Sequence, residues 1–454
     1  MPVERLSAED ARILACERGA VVGHTCKVLV VDGEHDVNAF RARVGPRLAA
    51  LPRLLDRLVE TPFGIAPPAW LRDPDFAIER HVRDGGRVRH QAALDRAVAA
   101  LMESRLDREH PLWSLDVVAL DDARTAGVLR LHHCMADGTV AMRIVRTLLL
   151  DQDGAGHGND SVPDPTVRPG RAALFADALR WRRRSATRRA AGAARARGPG
   201  GTSAGAEQHA RLAVIRRELA PGSGLSPLAR RAGPRRTVAF STVALQEVKQ
   251  LAHAVPGGAT VNDVVLAAVA GGVRHWLMET GMEAHELRVK VPVSLHCPDE
   301  PGLANRDSFM VVHLPLDEPE PLVRLAAIAA ETRERKAAHD ADALDALFND
   351  LGRRSRSLER LAEHWAKSPR VFALNVSNVP GPQGELTVLG SPLLAMHSLA
   401  EIAERHVLRV AVISAAGRLS FGLCADADAV ERLDLVADGI DAELRALGAA
   451  LPAG

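Results

Sequence analysis

The pattern of amino acids changes in the middle of the chain, and this change constrains the fold more than any other feature. Residues 1–150 and 235–454 mix short apolar runs with amphipathic segments. Residues 151–234 have a loop rich in Gly, Asp and Pro, then a stretch with many arginines and only one acid, Asp177. A chain of 454 residues, 47% of them hydrophobic, is too long for one ordinary core. We therefore predict two domains, 1–150 and 235–454, joined by an arginine-rich linker or crossover at 151–234 with one or two helices.

Within each predicted domain, apolar runs with β-branched residues indicate strands, and apolar residues at helical spacing indicate helices. The predicted strands are residues 26–31, 114–120, 127–133, 237–243, 287–293, 308–314, 410–415 and 419–424. The predicted helices are residues 138–150, 260–279 and 430–447, the last ending before Gly448. The fold class is therefore mixed α/β, and the similar halves favour a pseudo-repeated pair of domains.

Composition excludes several classes of protein. The net charge of +1 gives no general attraction to nucleic acid. The five cysteines are widely spaced without a C-x-x-C pair, which favours a reducing compartment over a disulfide framework or a zinc ribbon. The first ten residues lack the apolar run of a signal peptide, and no stretch approaches the ~20 apolar residues of a membrane span. We expect a cytoplasmic protein that contacts membranes only peripherally, if at all.

The strongest local signal is the run from His132 to Gly138, His-His-Cys-Met-Ala-Asp-Gly, between a predicted strand and a predicted helix. Successive side chains of a strand point to opposite faces, so the two histidines are not expected to face one pocket. Asp137 suits the free N–H groups of the helix start, and Gly138 suits a tight turn. A neutral imidazole can remove the proton of an alcohol that attacks a thioester, without a separate nucleophile.

Other interpretations of this run stay open from the residues alone. The two histidines could be a surface pair, or one could be a core histidine with satisfied hydrogen bonds. A metal site would use His132, His133 and Asp137, but the alternation of strand side chains opposes that grouping. Cys134 could be a nucleophile, but nothing near it in the sequence indicates an activated thiolate.

The chain resembles bacterial wax ester synthase/diacylglycerol acyltransferases, a family of the CoA-dependent acyltransferase superfamily, through its H-H-x-x-x-D-G run and further segments in the family's order. The segments are Leu6-Ser7 with Asp10, Pro68-Ala69-Trp70, Asp73-Pro74-Asp75-Phe76, His81-Val82, Leu106-Asp107-Arg108, Pro111-Leu112-Trp113, Asn262 to Ala267, Val291 to Ser294, Ser377 to Pro382, and Leu419 to Asp428. The resemblance therefore covers essentially the whole chain.

The resemblance implies two chloramphenicol acetyltransferase-like domains, each a mixed sheet with helices, joined by a long helical crossover and separated by a channel. It implies that His133 is the general base, that Asp137 holds the loop through an ion pair, and that His132 and Gly138 shape the loop. It also implies acyl-CoA as a co-substrate, without a further cofactor or a metal. The partners would be acyl-CoA and the hydroxyl of a long-chain alcohol or diacylglycerol, with no nucleic acid.

Further motif residues have two interpretations each. Pro111, Leu112 and Trp113 could line the channel, or Trp113 could be ordinary core. Asn262 could orient substrate, whereas the neighbouring Asp263 is expected to cap and brace its helix. Ser377 or Asn378 could donate to a developing oxyanion, or Asn378 could simply form a tight turn.

The chain departs from the family at residues 400–406, which are charged and bulky where the family has a small segment with glycine. This segment could border the acceptor side of the channel. The departure keeps open a carrier-protein thioester as donor and a small specialised alcohol or amine as acceptor. A non-catalytic lipid-binding relative is a third hypothesis. The arginine-rich stretch could contact anionic lipid, a lipid inclusion or the CoA phosphates, or could be a solvated helix face.

Overall fold

A computed structural model describes residues 3–151, 170–196, 218–219, 226–255, 257–294, 307–338, 344, 361–362 and 364–450. The helices in these ranges are α1 Ala8–Cys16, α2 Val37–Arg47, α3 Ile78–His81, α4 Gln91–Glu103, α5 Gly138–Leu148, α6 Arg171–Ala196, α7 Leu245–Ala254, α8 Val261–Glu279, α9 Pro321–Ala337 and α10 Leu433–Ala450. None of these described helices combines the length and the apolar character that a membrane span requires.

The strands fall into two large sheets and one hairpin. The strands are β1 His24–Asp32, β2 Asp56–Val59, β3 Ala69–Arg72, β4 Val82–Val88, β5 Trp113–Leu120, β6 Arg124–His132, β7 Arg236–Ala244, β8 Leu287–Ser294, β9 Asp307–Leu314, β10 Leu374–Pro380, β11 Thr387–Val388, β12 Ser391–Ala400, β13 Leu408–Ala415 and β14 Arg418–Asp426. The first sheet has the order β11-β12-β1-β6-β5-β4, the second has the order β7-β14-β13-β10-β8-β9, and β2 pairs with β3. Each large sheet contains both parallel and antiparallel pairs, so the predicted mixed α/β class is confirmed.

The outer face of the second sheet carries the largest core of the protein. The core joins β10 and β13 to helices α7, α8, α9 and α10, and includes Val376, Val410 and Val412. Helix α8 begins with the predicted capping box, in which Thr260 and Asp263 exchange side-chain and main-chain hydrogen bonds. Because the helices cover this face, the opposite face of the second sheet remains for contact with the first sheet.

The two sheets meet at β12, which comes from the C-terminal part of the chain but pairs with β1 in the first sheet. Strand β14 of the second sheet crosses against β12 at Gly422. A Cβ atom on Gly422 would overlap the main-chain oxygen of Ser398. The absence of a side chain at Gly422 is therefore what allows the sheets to approach so closely.

Several sequence expectations differ from the structure in detail. Helix α10 continues through Gly448 to Ala450, because nothing in that last turn requires the left-handed conformation that would end it. The hairpin predicted at Ala416 and Gly417 is confirmed, and both residues have positive φ, 49° and 70°. Helix α6 confirms one helix in the predicted linker, whose residues 152–169, 197–217 and 220–225 lie outside the described part of the chain. The limits of the two domains stay a prediction.

Candidate active site between the two sheets

The His132–Gly138 run lies where the sequence predicts it, between the end of β6 and the start of α5. Asp137 is the N-cap of α5, and its Oδ1 accepts a hydrogen bond of 2.7 Å from the main-chain N–H of Val140. Apolar residues at helical spacing bury one side of α5 in the core of the first sheet, which is called the first core and includes Leu29, Leu115 and Leu129. The start of this helix is therefore held in place. Strand, loop and helix together fix the position of both histidines.

His132 is buried and fully hydrogen-bonded. Its Nε2 lies 3.3 Å from a carboxylate oxygen of Glu17, and its Nδ1 accepts a hydrogen bond of 3.1 Å from the main-chain N–H of Cys134. The same carboxylate accepts a 3.0 Å hydrogen bond from Nε of Arg108 and lies 3.4 Å from Nε of Arg105. Because both ring nitrogens are engaged, His132 shapes the loop and has no lone pair left for a substrate.

His133 has different surroundings. Its main-chain N–H donates to the carbonyl oxygen of Gly23 at 2.9 Å, but its ring Nδ1 is enclosed and has no hydrogen-bond partner among the residues that the structure describes. The residue is half-buried, its ring lies deep in the protein, and the charge of Arg409 on the second sheet acts on it. His133 therefore lies where the two sheets face each other, and this place is called the space around His133. Burial, together with the positive charge of Arg409, lowers the pKa of His133 to about 4. The imidazole is therefore neutral at pH 7.

The opposite wall of this space is β10 of the second sheet. A Cβ atom on Gly138 would lie 2.7 Å from Cγ2 of Val379, so the start of α5 is in close contact with β10. Val376 belongs to the core on the outer face of the second sheet, whereas Val379 packs against the first core, on the opposite side. Since side chains alternate along a strand, Ser377 shares the inner face with Val379, and Asn378 points to the outer face. Of the two predicted oxyanion donors, only Ser377 is on the side of His133.

Strand β13 continues the same inner face beside β10. Arg409 is the register partner of Asn375, and Ala411 is the register partner of Ser377. Within the described part of the chain, Nε of Arg409 and Oδ1 of Asn375 are both enclosed without a hydrogen-bond partner. This pair is a functional candidate that sequence reasoning missed. A charged residue at an inward position of an otherwise apolar strand is the signal that could have revealed Arg409.

Part of the unusual segment 400–406 packs inward at this place, whereas its residues 403–405 are exposed. Glu401 is buried, and its carboxylate accepts a hydrogen bond of 3.0 Å from Nη2 of the buried Arg236. Burial raises the pKa of Glu401 to about 7, against the opposing effect of Arg236. Arg409 donates from Nη1 to the main-chain oxygen of Glu401 at 3.2 Å. The segment thus holds Arg409 beside the histidine wall.

The His132–Gly138 run is held in position by contacts of the motif Pro111, Leu112 and Trp113. All three are buried. The indole Nε1 of Trp113 donates to the carbonyl oxygen of Leu54 at 2.8 Å, and its ring stacks on His81 at 4.6 Å. The carbonyl oxygen of Leu112 accepts from the main-chain N–H of His132 at 3.0 Å. These contacts are those of core residues that hold the loop, and a contact of the three residues with substrate stays a prediction.

Asn262 and Asp263 lie at the start of α8, in the helix layer on the outer face of the second sheet. Oδ2 of Asp263 accepts from the main-chain N–H of Thr260 at 2.7 Å, and Oδ1 accepts from the hydroxyl of Thr332 at 2.6 Å. The predicted capping and bracing role of Asp263 is confirmed. No hydrogen bond of the described residues joins Asn262 to the histidine loop, and its role in substrate binding stays a prediction.

The two alternative chemistries find no support in the geometry. Burial raises the pKa of the Cys134 thiol, which makes it a poor nucleophile. Among the described residues, no group of three or more His, Cys, Asp or Glu side chains could hold a metal ion. A surface groove of about 400 Å³, bordered by Asp95, Phe240 and Asp434, contains none of the candidate residues.

Comparison with known proteins gives a consistent result. Residues 6–265 match the wax ester synthase/diacylglycerol acyltransferase catalytic domain, and residues 303–448 match the C-terminal domain of the same family. A Mycobacterium tuberculosis protein named as a probable diacylglycerol O-acyltransferase is 31% identical over 425 residues, covering 89% of this chain and 87% of the relative. A second Mycobacterium tuberculosis protein with a name of this kind is 30% identical over 476 residues, covering 97% and 95%.

Solved structures show the same fold. The wax ester synthase/diacylglycerol acyltransferase of Marinobacter aquaeolei has a TM-score of 0.66 at 22% identity, with 98% of this chain and 99% of that chain covered. The first condensation domain of the CDA synthetase has a TM-score of 0.59 at 17% identity, with 99% and 97% covered. Together with the matched residue ranges, these findings show that the chain is an acyltransferase and belongs to the wax ester synthase/diacylglycerol acyltransferase family.

Proposed function

We propose that this protein transfers a fatty acyl group from acyl-CoA to the hydroxyl of a long-chain alcohol or diacylglycerol, with His133 as the general base. The observation that carries the proposal is the contrast between the two histidines: His132 has both ring nitrogens engaged, whereas His133 lies where the two sheets face each other and has an enclosed, unpartnered Nδ1. The names of the relatives, which refer to diacylglycerol, support the choice of acceptor.

The reaction requires one base and one site for negative charge. His133, neutral at pH 7, takes the hydroxyl proton while the hydroxyl oxygen attacks the thioester carbonyl carbon. The carbonyl oxygen becomes negatively charged, and Ser377 and Arg409 on the inner face of the second sheet are candidates to stabilise it. The C–S bond then breaks, the leaving thiolate takes the proton from His133, and an ester and a free thiol remain.

The test is the release of free thiol from palmitoyl-CoA in the presence of hexadecanol or dipalmitoylglycerol. Wild type should show release that depends on the acceptor, and His133→Ala should lose it. His90→Ala is a matched control, because His90 is exposed and far along the chain from the site. Release without any acceptor dependence in the wild type would contradict the proposal. If thiol were released only from a carrier-protein thioester, His133 would remain the proposed base, but the proposed donor, acyl-CoA, would be wrong.

We also propose a peripheral contact with an anionic lipid surface. Phe63 is 90% exposed at a turn, and its ring lies 5.9 Å from that of Phe175 on α6. The same helix exposes Arg180, Arg182, Arg183 and Arg184. An exposed aromatic beside a basic helix is typical of attachment to a membrane interface. Wild type should sediment with phosphatidylglycerol vesicles more than with phosphatidylcholine vesicles, and Phe63→Ser should reduce this binding. Equal sedimentation of the wild type and Phe63→Ser with phosphatidylglycerol vesicles would contradict the proposed membrane contact.

A further inference from the structure

Among the described residues, the buried cations Lys27 and Arg409 both act on His133, and neither is hydrogen-bonded to a carboxylate. Arg236 and Arg409 share one carboxylate, that of Glu401, and the carboxylate is hydrogen-bonded to Arg236. Lys27 of β1 is also buried, with its Nζ hydrogen-bonded to the neutral hydroxyl of Ser398 at 2.5 Å. Buried charges without counter-charges cost free energy, and the cost is offset when an opposite charge binds.

Arg409 is the part of this cluster that faces the reacting groups. It lies on the inner face of the second sheet, keeps accessible surface, and is the charged side chain with the largest effect on His133. Its contact with Glu401 is to the main-chain oxygen, while its Nε is enclosed without a partner. A guanidinium N–H that is directed at no acceptor is a place where a carboxylate can bind.

Asn375 adds the complementary group. As the register partner of Arg409 on the adjacent parallel strand, it projects from the same face, and its Oδ1 is enclosed without a donor. An unpaired donor and an unpaired acceptor side by side match a ligand that carries both a carboxylate and a hydroxyl. Such a ligand would rest with its hydroxyl on Asn375 and turn that one proton to His133 as the oxygen attacks, because a single O–H cannot donate to both groups at once.

We propose that Arg409 and Asn375 form a subsite for a carboxylate carried by one of the two reactants close to the reacting carbon. The chemical class is a hydroxy acid as acceptor or a dicarboxylic monothioester as donor. This inference rests on the proposed acyl transfer and narrows its substrate. The entering negative charge also offsets the effect of Arg409 on His133 and makes the imidazole a stronger base.

The test compares substrates that differ only in charge. For the acceptor, kcat/KM is measured with 3-hydroxyoctanoate and with its methyl ester, at fixed palmitoyl-CoA. For the donor, it is measured with glutaryl-CoA and with the methyl ester of glutaryl-CoA, at fixed hexadecanol. We expect the charged member of one pair to be preferred about tenfold or more in the wild type. A ratio near one in both pairs would overturn the proposal.

Variants then assign the preference to the side chain. Arg409→Met should bring the ratio of charged to uncharged substrate close to one, and Arg409→Lys should retain most of it. Arg405→Met is the matched control, since Arg405 is an exposed arginine four residues away, and its ratio should equal that of the wild type. An equal fall of both rates in Arg409→Met would overturn the subsite and indicate only a general electrostatic role.

A binding measurement separates this inference from the proposed function. Calorimetry with 3-hydroxyoctanoate and with glutarate, without any co-substrate, should show binding to the wild type that is weakened about tenfold or more in Arg409→Met. If no acceptor supports thiol release, the proposed function fails, and the calorimetric difference still decides the subsite. If Arg409→Met does not fold, binding is compared on the wild type alone, between each charged ligand and its uncharged methyl ester. If the wild type bound each charged ligand and its methyl ester equally well, the proposal would be overturned.

Discussion

The two walls of the candidate site differ in how their polar groups are satisfied. Beside the end of β6, Glu17 engages His132, Arg105 and Arg108, so that each of these groups has a partner. Arg409 and Asn375 on the second sheet, and His133 opposite them, keep enclosed atoms that have no partner among the described residues. The difference teaches that the paired groups hold the loop in shape, whereas His133 and Arg409, which are incompletely paired and keep some accessible surface, can bind a substrate. The ring of His24 on β1, which also has no partner in the described part of the chain, is fully buried and cannot.

The largest expected effect comes from removing the unpaired histidine. His133→Ala should lower kcat/KM by about 10²–10⁴-fold, the range for loss of a general base, with little change in the free energy of unfolding, because its ring has no hydrogen-bond partner to lose. Thiol release and urea unfolding measure the two quantities. A variant that is strongly destabilised but still active would reverse the assignment of the two histidines.

The paired histidine should behave in the opposite way. His132→Ala removes a buried ring that bonds Glu17 and the main chain of Cys134, so unfolding should become easier by about 2–4 kcal/mol. Activity should fall less than in His133→Ala. Urea unfolding of both variants under the same conditions gives the comparison. If both lose the same stability, the contrast between paired and unpaired groups is wrong.

Glu401 offers a smaller effect, which depends on pH. Because its pKa is raised to about 7 in the folded protein, the folded state holds a proton that the unfolded state has lost between about pH 4.5 and 7. This carboxyl therefore contributes stability at low pH, and the contribution is lost as pH rises. In Glu401→Gln that pH dependence should vanish, so the stability of the wild type relative to the variant should fall, on the order of 2 kcal/mol, across this window. If the free energies of unfolding of the wild type and of Glu401→Gln changed with pH in parallel, this role of Glu401 would be excluded.

The smallest effect concerns the fall of kcat/KM at acid pH, the acid limb of the pH profile. With the pKa of His133 at about 4, the base stays neutral well below pH 6.5, and kcat/KM should fall only as pH approaches 4. Arg409→Met removes a charge that lowers this pKa, so the limb should move to higher pH by less than about one unit. Short assays at each pH, with a return to pH 7 to check for denaturation, measure it. A wild-type limb near pH 6.5 would mean that His133 is not buried as described.

Local pattern was enough for much of the fold. The strand around residues 26–31 and the hairpin at Ala416 and Gly417 were predicted because alternation and turn chemistry act over a few residues. The helix begun by Thr260 and Asp263 was predicted from its cap. The insertion of β12 into the first sheet was not predicted, because no local pattern of residues 391–400 tells which sheet edge a strand will join.

For the site, the residues that share one motif were found, and those that come from distant segments were not. The His132–Gly138 run was visible because seven consecutive residues carry it. Glu17, Lys27, Asn375 and Arg409 were missed, because each is an ordinary residue until the sheets meet, whereas Glu401 lies in the segment 400–406 that the sequence had already marked as unusual. The choice between Ser377 and Asn378 likewise required the sheet, since only the direction of β10 decides which of two neighbours faces inward.

The sequence by itself determined the mixed α/β class, the order of most strands and helices, and the place of His133 between a strand and a helix, because these depend on short-range periodicity and capping. The tertiary structure alone decided which polar groups are paired. Pairing depends on distances between segments that lie hundreds of residues apart, such as the 165 residues between Arg236 and Glu401. Burial at the meeting of the two sheets then sets the pKa of His133 and leaves Arg409 without a full counter-charge.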